Sequence, residues 1–167
     1  MTASGKTTLM ANLIQEYRKP RSGQSIKVIV YDPMHDPRLK ADFNTASIEK
    51  FLAVCQDSQS CMCVVDESGE VIGRYDSEYF WLATRSRHYG HKMHFIAQRA
   101  NQISKTVRDQ CSQIFIFRQS KDDSKLLAAE FGDDLILDAA NLQQGEYIFA
   151  GRFQKAQKMR LPLIERA

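Results

Sequence analysis

The chain of 167 residues has no long apolar run, few cysteines, little proline and glycine, one tryptophan and almost no net charge. No stretch approaches the roughly 18 consecutive apolar residues of a bilayer-spanning helix, which excludes that class on sequence grounds. Four cysteines in a chain of this length do not make a disulfide framework, so a reducing cytoplasm is the expected setting. No internal repeat or low-complexity tract is present. The 23 Lys and Arg against 20 Asp and Glu leave a formal charge of +3, too small to announce nucleic-acid binding by itself. A secretory signal is not expected either, since Gly5-Lys6-Thr7 stands where its apolar segment would lie. What remains is 43% apolar, too rich for a disordered chain and enough for one compact domain over residues 1–167.

Periodicity alternates between helical and strand-like segments. Gly5 to Arg18 reads as a helix, with Leu9, Leu13 and Ile14 at helical spacing and Pro20 beyond it. Ile26 to Tyr31 is a β-rich run stopped by Asp32-Pro33. Met34 to Thr45 reads as loop and Ala46 to Cys55 as a short helix. Cys61 to Asp66 is nearly continuous apolar sequence, which suits a strand buried on both faces. Residues 72–89 read as one aromatic-rich helix ending at Gly90. Lys92 to Gln98 and Gln113 to Gln119 are further strands, separated by a short helix over Lys105 to Cys111. A helix over Asp122 to Phe131 stops at Gly132, and Tyr147 to Leu163 reads as a β-hairpin. This alternation predicts an α/β fold with a mostly parallel sheet, helices on both faces, and the hairpin at the C-terminal end.

Three segments carry chemistry. Ser4-Gly5-Lys6-Thr7-Thr8, followed by an apolar helix, is the latter part of a phosphate-binding loop. Converging N–H groups at a helix start supply the donors that phosphate oxygens need. Gly5 lets the backbone pass close, Lys6 places a charge on the β- and γ-phosphates of ATP, and Thr7 offers a hydroxyl to Mg²⁺. Val64-Val65-Asp66-Glu67 then ends an apolar strand, with Asp66 as the second Mg²⁺ ligand and Glu67 as the group that polarises a water. Adjacent carboxylates favour hydrolysis over transfer to a small molecule. Phe95-Ile96-Ala97-Gln98 ends in an amide that could meet the γ-phosphate or the attacking water. Arg85, Arg87 and Arg99 are candidates to neutralise transition-state charge, Arg87 and Arg85 foremost.

Together Thr2-x-Ser4-Gly5-Lys6-Thr7, Val64-Val65-Asp66-Glu67, Ser86-Arg87-His88 and Ile96-Ala97-Gln98-Arg99 resemble the FtsK/HerA branch of P-loop motor ATPases. The likeness is strongest to small viral genome-packaging ATPases and Zot-like phage assembly ATPases. It extends through Val107-Arg108-Asp109-Gln110 and Leu142-Gln143-Gln144-Gly145-Glu146-Tyr147. The resemblance implies a strand order 5-1-4-3-2, a ring of six subunits, and ATP hydrolysis coupled to the movement of double-stranded DNA. It further implies that Gln98 is the sensor, that an arginine before the fourth strand reaches a neighbour's nucleotide, and that a capsid or portal protein is a partner. No membrane partner is implied, and the host cytoplasm is the expected location of a viral version.

The family's first strand and first loop glycine have no counterpart in this sequence. The expectation is therefore that Met1 is an internal position and that a form extended upstream binds ATP. A non-hydrolysing nucleotide-binding module acting through protein contacts is the alternative, and a phage assembly ATPase is a second. Other features have plainer readings. Cys61-x-Cys63 and His88-x-x-His91-x-x-His94 lack the second Cys pair of a zinc site. Tyr79-Phe80-Trp81 suits packing on the sheet, and the basic stretch Arg152 to Arg160 suits a charged edge hairpin.

Overall fold

A computed structural model describes residues 5–20, 25–71 and 78–162. The chain divides into two compact units, one of residues 7–110 and the other of residues 111–162 with Gly5 and Lys6. The first unit is α/β. It contains α1 (Lys6–Arg18), β1 (Val28–Tyr31), β2 (Phe43–Thr45), α2 (Ile48–Gln56), β3 (Met62–Val65), α3 (Ser68–Val71), α4 (Trp81–Thr84), β4 (Lys92–Phe95) and α5 (Lys105–Gln110). Its four strands form a wholly parallel sheet in the order β2-β1-β3-β4.

The apolar run of β3 explains its place inside that sheet. Met62, Cys63, Val64 and Val65 have no exposed surface, and alternate side chains serve opposite faces. On one face Ile29, Tyr31, Cys63 and Val65 meet Phe51 and Cys55 of α2, Leu82 of α4 and Val107 of α5. Tyr79, Phe80 and Trp81 also pack on this cluster, as their sequence suggests. On the other face Val28, Val30, Met62 and Val64 meet Met10 and Ile14 of α1, with Leu39 and Ile96. Helices thus cover both faces. Strand β4, which among the described residues pairs only with β3, keeps Met93, His94 and Phe95 half-buried.

Two local expectations need correction. The segment read as a single helix over 72–89 is broken: Glu78–Phe80 and Ser86–Tyr89 are 3₁₀ turns flanking the four residues of α4, while 72–77 lie outside the described residues. Hydroxyls compete with the helical ladder there. Thr84 Oγ1 donates to the Phe80 carbonyl at 2.8 Å and the buried Ser86 Oγ to Leu82 at 2.6 Å. Gly90, at φ +74°, then turns the chain into β4, with no room for a Cβ against Ser60 Oγ at 2.9 Å. The segment read as loop over 34–45 contains β2, three residues without an apolar alternation, drawn into the sheet by register with Ile29 to Tyr31.

The second unit holds β5 (Gln113–Ile116), α6 (Lys121–Phe131), a 3₁₀ run over Asp134–Asn141, β6 (Glu146–Gly151) and β7 (Gln154–Arg160). The terminal hairpin β6–β7 is present. Strand β5 does not join the parallel sheet; it runs antiparallel to β6 in a separate sheet ordered β5-β6-β7. Of the implied order 5-1-4-3-2, the run 4-3-2 is present as β4-β3-β1, with β2 added beyond β1, while β5 stands outside that sheet among the described residues. Ser120 caps α6 by accepting the Asp123 N–H at 3.1 Å, and Gly132 ends it at φ +68°. Gln154, Lys155, Gln157, Lys158, Met159 and Arg160 are exposed along the edge strand β7, as the charged-edge reading expects.

His91 turns out to be a structural residue. Its Nδ1 accepts the Cys61 N–H at 3.1 Å and its Nε2 donates to the Cys55 carbonyl at 2.8 Å. It thereby ties the end of α2 to the starts of β3 and β4 while only 6% exposed. Replacing His91 by Ala orphans two buried backbone groups. It is expected to lower unfolding free energy by about 2–4 kcal/mol, against about 0.5 or less for the exposed His88→Ala, read by urea titration.

Candidate nucleotide site at the strand tips

Parallel sheets gather polar groups at the carboxyl ends of their strands, where side chains leave the hydrophobic layers. Three chain exits stand side by side here, held by a backbone ladder. Asp32 N–H donates to Thr45 at 3.0 Å, Asp66 N–H to Tyr31 at 2.9 Å and Ile96 N–H to Val65 at 2.9 Å. Asp32, Asp66 and the Ile96–Gln98 segment therefore emerge in register.

Asp66, only 9% exposed, follows the last residue of β3. One of its oxygens accepts the Glu67 N–H at 2.8 Å. Burial pushes the Asp66 carboxyl above its ordinary value, and the neighbouring charges of Glu67, Asp32 and Asp36 push the same way. Glu67 has a left-handed backbone, φ +49°, which swings its side chain out of the strand direction. Ser68 then locks the turn to the next strand: its N–H and its Oγ both donate to the Ile96 carbonyl, at 2.8 and 2.7 Å. Across that lock the Gln98 amide donates to both Glu67 oxygens, at 3.2 and 3.3 Å. Two residues singled out thirty-one positions apart are thus brought together.

The other expected site residues fall in three groups. Gly5 has φ +99°, and a Cβ there would lie 2.7 Å from Leu161 Cδ1 and 3.0 Å from Phe117 Cε1, so only glycine fits. Lys6 is the first residue of α1, and Thr7 and Thr8 complete its first turn, which carries no acidic side chain. That end of the helix is free of the charge that would repel phosphate. Ser4 lies outside the described residues. Arg85 and Arg87 are exposed and stand away from Asp66 and Glu67. The turn that carries Arg87 sits at the amino ends of β3 and β4, where Ser60 N–H donates to Tyr89 at 2.9 Å. A four-residue strand, about 13 Å long, separates that end from Asp66. Arg99, by contrast, directly follows Gln98 at the carboxyl end, its N–H bonded to Gln102 Oε1 at 3.0 Å.

Asp32, Asp36 and Arg38 join the site without having been singled out in the sequence. The only signal was an acidic residue before Pro33 at a strand end, the same signature as an ordinary turn. Among the described residues no group of three or more His, Cys, Asp and Glu could by itself hold a metal ion. A Mg²⁺ bound with a nucleotide does not need one, because it takes one or two protein oxygens and completes its shell with phosphate and water. The donor set fits that demand: Asp66 is a buried carboxylate crowded by like charge.

No protein-family model and no curated protein sequence matches the chain. Solved structures do. The genome-packaging NTPase B204 from Sulfolobus turreted icosahedral virus 2, in complex with AMPPCP, superposes with a TM-score of 0.74 at 12% identity, over 97% of this chain and 94% of that one. The N-terminal domain of zonular occludens toxin from Neisseria meningitidis gives 0.58 at 15% identity, over 99% and 91%. VirB4 of Thermoanaerobacter pseudethanolicus gives 0.54 at 15% identity, over 72% of this chain but 36% of its own length. What the chain shares with them is the fold.

The raised Asp66 carboxyl has a consequence for stability. The folded chain holds this proton more tightly than the unfolded chain, so stability falls as pH rises above the ordinary value of 3.8 through the raised one. Asp66→Asn keeps an oxygen for the Glu67 N–H and removes the buried charge. The expected outcome is a higher melting temperature than wild type at pH 7 without nucleotide, with the difference shrinking toward pH 4 in calorimetric scans.

Proposed function

We propose that this chain is an ATP-hydrolysing motor subunit that moves or packages double-stranded DNA, as part of a viral or mobile genetic element. The observation that carries the reading is the Glu67–Gln98 pair beside Asp66 at the strand tips. A carboxylate and an amide paired one strand apart have the chemistry to hold a water beside a terminal phosphate.

In this reading Ser4, Gly5, Lys6, Thr7 and Thr8 receive the phosphates, and Thr7 with Asp66 would hold Mg²⁺, which when bound would supply neutralisation of phosphate charge. Glu67 accepts a proton from water as the water oxygen bonds to the γ-phosphorus. The bond to the β-phosphate oxygen breaks in the same step and leaves ADP and inorganic phosphate. Gln98 holds Glu67 when no nucleotide is bound, and a γ-phosphate competes for the same amide. Hydrolysis is thereby sensed at the tip of β4.

Arg87, with Arg85 as its neighbour, serves the nucleotide of an adjacent subunit in a homo-oligomeric ring, six being the expected number. DNA passes through that ring, and a capsid or portal protein receives it, with the host cytoplasm as the setting. Support for the DNA cargo comes from the shared fold with a genome-packaging NTPase.

The test is ATP turnover by the purified full-length protein with and without linear duplex DNA. Turnover stimulated by DNA is expected. Lys6→Ala should abolish nucleotide binding. Glu67→Gln should keep ATP binding while turnover falls about 100-fold or more. Tight ATP binding by wild type with no turnover under any DNA condition would instead make the chain a non-hydrolysing nucleotide-binding module.

A further inference from the structure

The loop after β1 is built more firmly than a surface connection requires. Asp32 is wholly buried, and both of its carboxylate oxygens are used: Oδ1 accepts the Met34 N–H at 2.9 Å and Oδ2 the Asp36 N–H at 2.5 Å. His35 between them adopts φ +52°, a left-handed conformation that closes the turn. Asp36, fixed by that bond, accepts the Arg38 backbone N–H at 3.0 Å. Its carboxylate also takes the forked side chain of Arg38, with Nε at 2.9 and 3.2 Å and one terminal nitrogen at 2.5 Å. A buried carboxylate thus positions a second carboxylate, which positions a guanidinium.

The guanidinium points back to the start of α1. Its other terminal nitrogen donates to Thr8 Oγ1 at 3.4 Å, in the first turn of that helix. Asp36 and, at longer range, Asp66 favour its charged form. A guanidinium has five N–H groups. Asp36 takes the Nε–H and one N–H of a terminal nitrogen, and Thr8 takes one from the other. One N–H on each terminal nitrogen is left over, and the side chain remains 53% exposed. A fork with two spare donors, held against the positive end of a helix, matches the oxygens of a phosphate group.

We propose that Arg38 is a phosphate ligand of the bound nucleotide, supplied by the same subunit and positioned by Asp36 and Asp32. The inference rests on the nucleotide-binding reading above and adds to it a cation outside the phosphate loop. Asp36 and Asp32 are positioning residues that never touch the ligand. An arginine beside its own subunit's phosphates also divides labour with Arg87, which stands at the opposite end of the strands.

The experiment compares wild type, Arg38→Ala, Arg38→Lys and Asp36→Asn in equilibrium binding of ATP, ADP, AMP and inorganic tripolyphosphate, each with a melting curve. Arg38→Ala should weaken ATP and tripolyphosphate by roughly 10- to 100-fold, the loss of a charge-assisted hydrogen bond. Arg38→Lys should recover part of that loss, because it restores the charge and not the fork. Asp36→Asn should weaken binding less than Arg38→Ala, since the cation survives while its anchor is impaired. A purely structural role predicts the reverse pattern: similar melting shifts in Arg38→Ala and Asp36→Asn with unchanged affinities, and that result overturns the inference. Whichever of ATP, ADP and AMP loses affinity identifies the phosphate contacted. Wild-type binding that survives Arg38→Ala refutes Arg38 alone. Wild type that binds neither ATP nor tripolyphosphate refutes the nucleotide reading and this inference together.

Discussion

The site depends on the double burial of β3. Met62 to Val65 are sealed on both faces, so the strand cannot slip by one residue without exchanging Met62 and Val64 for Cys63 and Val65 between two different cores. That register delivers Asp66 to the carboxyl edge at the same level as Asp32 and Ile96. The backbone bonds from Asp66 to Tyr31 and from Ile96 to Val65 transmit the alignment to both neighbours. Glu67 and Gln98 meet because their strands are held in step, and a shift of one residue, about 3.3 Å, would exceed the reach of a hydrogen bond.

The same arrangement concentrates charge that works against folding. Asp32, Asp36, Asp66 and Glu67 face one another across the strand tips, with Arg38 as the cation bound among them. Asp32 escapes the cost by giving both oxygens to backbone N–H groups, and Asp36 by its fork with Arg38. Asp66 has one backbone N–H and repulsive neighbours. Its environment suits a group whose partner arrives from outside the chain, and a native structure bears such a cost only at a few positions.

Legibility in the sequence follows the range of the interactions. The helix over Lys6–Arg18, the buried strand ending at Asp66 and the Gly132 end of α6 rest on local patterns and were readable, whereas the Ser120 cap lies just before the stretch read as helix. The positions of Asp66, Glu67 and Gln98 at or just beyond strand ends were readable because each follows an apolar run. Arg38 was not, since its role depends on Asp36 beside it and on Thr8 thirty positions away. Strand β2 was hidden because its three residues become a strand only by pairing with β1. The break in residues 78–89 was hidden because apolar periodicity does not register hydroxyls that bond back to the preceding turn. The partner of β5 was misjudged for a related reason: an apolar run announces a strand and says nothing about direction.

The separation of charges along the strands constrains any mechanism built on this site. Arg85 and Arg87 lie at the amino ends of β3 and β4, while the carboxylates lie at the carboxyl ends. An extended arginine side chain is shorter than the sheet plus the turn that carries it, so neither can neutralise phosphate charge on its own subunit's strand tips. Among the described residues, Arg38 and Arg99 are two arginines that do stand at the carboxyl edge. If Arg87 takes part in hydrolysis, the nucleotide it meets must belong to another copy whose carboxyl edge faces this amino edge. That contact is heterologous, head to tail, and such contacts close only as rings or extend as filaments. A catalytic Arg87 and a monomeric enzyme are therefore mutually exclusive. The assignment of that one residue carries the question of oligomeric form with it.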